Sequence, residues 1–158
     1  MTEDARFEEG GERPLRLRAE DADDLQVISA LTQDAVFPAS EIAWRASERR
    51  LALLINRFRW EDKPRAERRG RPVERVQSML VIDDVLKVRS AGVQRGDADT
   101  ILSILSLNFA AGEDGSGTVE LILAGDGAIA AQVECLNVTL QDVTRPYLAP
   151  SRKAPSHD

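Results

Sequence analysis

The sequence predicts a mainly β protein of the α+β class: an antiparallel meander of about seven or eight strands with one N-terminal helix. Three observations carry this. Apolar residues recur with a period close to two from Val36 to Leu140, turn chemistry interrupts them at short intervals, and a single segment near the N-terminus shows helical spacing. Helix does not alternate with strand, so the strands pair antiparallel and close into a barrel or fold into a sandwich. On strand number, a pleckstrin-homology-like barrel is one such form, and that analogy carries no function.

Taken in order, LRLRA (15–19) alternates as a short strand. EDADDLQVISALTQDA follows, with acids at its start and Leu25, Ile28, Leu31 and Ala35 at helical spacing, which predicts a helix over 22–33. Ile42, Trp44 and Ala46 alternate with Glu41, Ala43 and Arg45, Ser47-Glu48-Arg49 turns the chain, and Arg50–Trp60 returns as the second arm of a hairpin. In that arm Ala52, Leu54, Phe58 and Trp60 share one face; Leu51, Leu53, Ile55, Arg57 and Arg59 share the other, which predicts that it ends with two arginines in the open. After a basic loop, Arg75–Ile82 and Val85–Val93 are strands joined by a turn or bulge at Asp83-Asp84. Thr100–Phe109 is a strand with Ile101, Leu105, Leu107 and Phe109 on one side, and AGEDGSG (111–117) is a turn. Val119–Ala124 and Ala128–Glu134 form a hairpin around Gly125-Asp126-Gly127, since Gly and Asp tolerate the positive φ of tight turns. The end of the chain has two readings: a strand bent by a bulge near Cys135, or a helix with Val133, Leu136, Leu140 and Val143 inward. β-branched Val138 and Thr139 favour the strand.

A chain of 158 residues fits one domain with a sizeable core. Residues 1–13 are read as a disordered acidic tail, 14–147 as a single β-rich domain and 148–158 as a second disordered tail. The longest apolar run, Leu51–Ile55, is too short to span a bilayer. An acidic N-terminus without a signal-peptide pattern and a single cysteine point to the cytoplasm.

The only histidine is His157, which argues against Ser-His-Asp and Cys-His catalysis and against the commonest zinc ligands. No catalytic residue, cofactor or metal site is assigned. Cys135 sits in an apolar strand beside Glu134, with no basic residue within nine positions, and reads as a buried structural thiol whose pKa is raised. The carboxylate pairs Asp83-Asp84, Asp97/Asp99 and Glu113-Asp114 match no cation-binding loop. No phosphate-binding glycine motif is present, so a carboxylate-based enzyme has the least support.

Charge is unevenly spread. Residues 57–75 hold eight bases and four acids, whereas residues 96–144 hold eight acids and no base. One reading makes the basic segment an anion site for a small ligand or RNA, using Arg57, Arg59, Trp60, Arg65, Arg68 and Arg69, with Arg57 and Arg59 about 7 Å apart along one strand. The other puts Trp60 in the core with Phe58, lets Glu61, Asp62, Glu67 and Glu74 neutralise half the bases, and makes Arg65–Arg71 a mobile loop facing the acidic surface. A net charge of −6 argues against a nucleic-acid surface and favours the second. The function expected is a non-enzymatic protein-interaction module, with a protein partner or a homodimer.

Four stretches, LRLRAEDADDLQVISALTQDAV, ERRLALLINRFRWED, DDVLKVRSAGVQRGDADTILSILSLNF and GTVELILAGDGAIAAQVECLNVTLQDV, resemble the alphaproteobacterial domain-of-unknown-function family DUF2948. The resemblance implies a cytoplasmic bacterial protein of one domain. It implies no activity, no cofactor and no site residue.

Overall fold

The computed structural model describes residues 14–94, 97 and 99–148. Eleven strands and two α-helices occur among them. β1 (Arg16–Ala19) leads into α1 (Ala22–Thr32), where the Asp21 side chain caps the helix by accepting from the Asp24 amide at 2.8 Å. β2 (Val36–Pro38), β3 (Ile42–Arg45), β4 (Arg50–Phe58), α2 (Lys63–Arg68), β5 (Glu74–Ile82) and β6 (Val85–Ala91) follow. β7 (Ile101–Ala111), β8 (Gly117–Leu123), β9 (Ala128–Val133), β10 (Val138–Asp142) and β11 (Tyr147–Leu148) complete the chain.

All strand pairs are antiparallel, in the order β1-β10-β5-β4-β2-β7-β8-β9-β6, with β3 on β4 and β11 on β5. The antiparallel expectation therefore holds, but the path is not a simple meander and the sheet does not close into a barrel. Short β2 links the two halves, pairing Val36 with Asn56 of β4 and Phe37 with Leu102 of β7. Both halves line one core: Leu51, Leu53, Ile55, Leu80 and Leu140 from one side, Ile104, Leu107, Leu121, Ile129 and Val133 from the other, with Leu25 and Ile28 of α1.

The hairpins β3–β4 and β8–β9, strand β1 and helix α1 fall where the sequence places them. Four features differ. β5 and β6 are consecutive but unpaired: Asp84, at φ 60°, turns the chain from β4's neighbour to β9's. The opposite parities around Cys135 likewise belong to two strands, because β9 pairs with β8 while β10 pairs with β5 and β1. In β7 a register shift between Ile104 and Ser106 switches the inward parity, so Leu102, Ile104 and Leu107 are buried while Ile101 and Leu105 are exposed. The Leu107 amide beside that shift donates to Ser29 Oγ of α1 at 2.9 Å, which fixes the helix on the strand. Leu148, assigned by sequence to the tail, pairs with Glu74; the expectations for 1–13 and 149–158 lie outside the described residues.

Candidate functional site

Residues 57–75 form the end of β4, a 3₁₀ turn at Trp60–Asp62, helix α2 and the start of β5. The expected mobile loop is thus a helix. Pro64 stands in its first turn, and Gly70, at φ +64°, follows its end, the usual proline and glycine placement at helix termini.

Arg57 and Arg59 are not in the open; their side chains are 0 % and 3 % exposed. Arg57 continues the inward parity of Leu51, Leu53 and Ile55, and at that depth it meets acids. Its Nη1 and Nη2 donate to the two oxygens of Glu61 at 2.8 Å each, and Nη2 also reaches Asp142 Oδ1 at 3.0 Å. Ser78 Oγ accepts from Arg57 Nε at 3.0 Å and donates to Asp142 Oδ1 at 2.7 Å; the Leu15 amide donates to Asp142 Oδ2 at 2.9 Å. Burial alone would lower the Arg57 pKa, but Glu61 and Asp142 outweigh it and hold the guanidinium charged above its ordinary range. This serine, aspartate and arginine superficially suggest a reactive site, yet Arg57 and Ser78 are fully buried and no substrate can reach them. The network locks β4, β5, β10 and the 3₁₀ turn together.

A second network closes the base of α2. Arg59 Nη1 lies 2.7 Å from Glu74 and 3.4 Å from Asp62, and Arg71 Nη2 lies 2.8 Å from Asp62. Three of the eight bases are thereby held mainly by acids of the same segment, as the second reading requires. Among the described residues, Asp142 is the one contribution to them from the acidic stretch 96–144.

On the opposite face, Phe58, Ala66 and Val73 form a small separate core with Trp60 against it. The Phe58 and Trp60 rings sit 5.4 Å apart at 47°, and Trp60 Nε1 donates to the Gln33 carbonyl at 2.8 Å. Trp60 is half-buried and committed on both counts. Of the six residues proposed for an anion site, Arg57, Arg59 and Trp60 are therefore engaged in the fold; Arg65 is half-buried on α2, and Arg68 and Arg69 are exposed at its end.

The outer face of the first half-sheet is built in rows set by strand register. Ala43, Ala52, Val81, Thr139 and Arg18 form one row, and Leu54, Met79, Gln141 and Arg16 the next. Val36, Asn56 and Gln77 follow, then Phe58, Arg75 and Tyr147. The centre is apolar and half-exposed with a polar rim, and a groove of about 260 Å³ runs along it between Glu41, Ile101, Leu54, Asn56 and Gln77.

Cys135 is exposed, not buried. Its thiol donates to Asp84 Oδ2 at 3.2 Å, and that hydrogen bond, with smaller effects of burial and of Asp84, Glu134 and Glu20, pushes its pKa up. Among the described residues no cluster of three or more His, Cys, Asp or Glu could hold a metal ion, and no helix is long and apolar enough to cross a membrane.

A family model described as "Protein of unknown function (DUF2948)" matches residues 15–157. The chain belongs to that family. No curated protein and no solved structure matches it. Membership therefore brings no assigned activity to these residues, and the DUF2948 match spans both ion-pair networks and the outer face alike.

Proposed function

We propose that the protein is a non-enzymatic binding module that works inside a bacterial cell through the open outer face of its first half-sheet. Its partner is another protein, a second copy of this chain included. The observation that supports this is a face whose centre is Ala52, Leu54, Met79 and Val81, half-exposed, with no described helix or strand packed over it. Arg16, Arg18, Thr139 and Gln141 border it as a polar rim borders an interface core. The most reactive-looking constellation, Arg57, Ser78 and Asp142, is sealed, which favours binding over catalysis.

The experiment places Arg in the middle of the face, as Met79→Arg, and compares it with wild type in affinity purification from the native host and in sedimentation velocity from about 10 to 500 μM, a range that covers ordinary protein contacts. The expected result is a stoichiometric partner, or self-association, present in wild type and lost in the variant with its melting temperature retained. A chain that is monomeric throughout and captures nothing, or a partner held equally by both proteins, would overturn the reading.

A further inference from the structure

Arg75, on the outer face, differs from the ion-paired arginines of its segment. Arg57, Arg59 and Arg71 each meet a carboxylate, but none pairs with Arg75 among the described residues. Its guanidinium lies 4.1 Å over the Phe58 ring and Nη1 donates to Asn56 Oδ1 at 2.9 Å, while Nε is buried without a partner. Burial pushes its pKa down, and the Tyr147 hydroxyl offsets this only in part. Asn56 Nδ2 donates to the Tyr147 hydroxyl on the other side.

The groove begins beside this cation, at Asn56, whose Oδ1 accepts from Arg75 Nη1; Arg75 itself stands just outside the lining. Asn56 and Gln77 line its near end, Val36, Pro38, Leu54 and Ile101 give it an apolar floor, and exposed Glu41 stands at the far end. By register, Val36 pairs with Asn56 and Pro38 with Ile101, so the floor runs about 7 Å from the Asn56 end toward Glu41.

We propose that this groove anchors the partner protein through one acidic, apolar contact: a carboxylate on Arg75 and Asn56, and the adjoining apolar side chain on Leu54 and Ile101. The inference rests on the reading of the open face as the working surface and supplies the chemistry of its partner. A carboxylate gives Arg75 the counter-charge it lacks among the described residues; charge-assisted bonds of this kind are about twice as strong as neutral ones. One cation facing one distant carboxylate suits a monoanion better than a phosphate, and Glu41 repels a second acid at the apolar end.

The minimal probe is N-acetyl-leucine, which carries one apolar side chain and one carboxylate; N-acetyl-leucine amide and octanoate are the comparison arms. Binding is read on the full chain by amide chemical shifts. The expected result is saturable binding at about millimolar concentration, with shifts centred on Asn56, Arg75, Gln77 and Ile101. The amide should bind at least about tenfold more weakly, a loss of about 1.4 kcal/mol, and Arg75→Gln should erase that preference. Ile101→Arg, which blocks the floor without touching Arg75, should weaken acid and amide alike. Equal binding of acid and amide, shifts elsewhere, or no saturation would overturn the proposal; octanoate binding more than about tenfold tighter would replace the protein segment with a free aliphatic acid. If these probes fail while Met79→Arg still abolishes partner capture, the groove chemistry falls and the open-face reading stands.

Discussion

Replacing Arg57 by Met removes the one cation of the sealed network while keeping most of its stem. Asp142, with a side chain 3 % exposed, would then face only the Ser78 hydroxyl and the Leu15 amide, without a counter-charge. Glu61, 29 % exposed, can turn to water and adds little to the loss. Removing one partner of a buried pair costs about 3 to 5 kcal/mol, because the charge left behind is uncompensated. For a chain of this size each kcal/mol moves the melting temperature by about 2 to 4 °C, so Arg57→Met should melt roughly 6 to 20 °C lower. The decisive comparison is Arg57→Met combined with Asp142→Asn, which takes away the stranded charge and leaves an oxygen to accept from Leu15. Thermal unfolding followed by circular dichroism should place the double variant clearly above the single one. A single variant within about 2 °C of wild type, or a double variant no more stable than the single, would show that compensation of charge is not what the network supplies.

Three further outcomes are expected. Trp60→Ala should destabilise by about 2 to 4 kcal/mol in urea unfolding, below a fully buried aromatic because the ring is half-exposed but above a surface one because it packs on Phe58 and bonds the Gln33 carbonyl. Gly117→Ala should cost about 1 to 3 kcal/mol, since a Cβ there would stand 2.5 Å from the Ala110 carbonyl oxygen and 2.7 Å from the Phe109 ring; an unchanged melt would mean that the β7–β8 hairpin shifts freely. The Cys135 thiol, exposed but with a raised pKa, should react with a disulfide reagent at pH 8 more slowly than an unstructured cysteine, and Asp84→Asn should speed it by removing the carboxylate's charge.

What the sequence reveals here is what is local. Helix α1 announces itself through Asp21 and its acidic first turn, and the β8–β9 hairpin through Gly125 and Asp126, both at positive φ. Helix α2 left similar marks in Pro64 and Gly70, but its surplus of charge masks them and the stretch reads as a loop. β2 was missed because three residues ending in a proline carry no period. The parity of β7 was misread because the register shift near Leu105 is set by its neighbours β8 and α1, not by its own residues. The site follows the same division. Period two puts Arg57 on the buried face of Leu51, Leu53 and Ile55, although an arginine at a strand end ordinarily reaches water. Only register could have corrected that, because Asp142 lies 85 positions away and comes to Arg57 through β5. The same long-range pairing sets Arg75 between Phe58 and Tyr147, with no ion-paired acid among the described residues. Of eight bases that look alike in sequence, the fold thus uses Arg57, Arg59 and Arg71 in ion pairs that hold it together, and leaves Arg75, half-buried beside an apolar groove, with no carboxylate paired to it among the described residues.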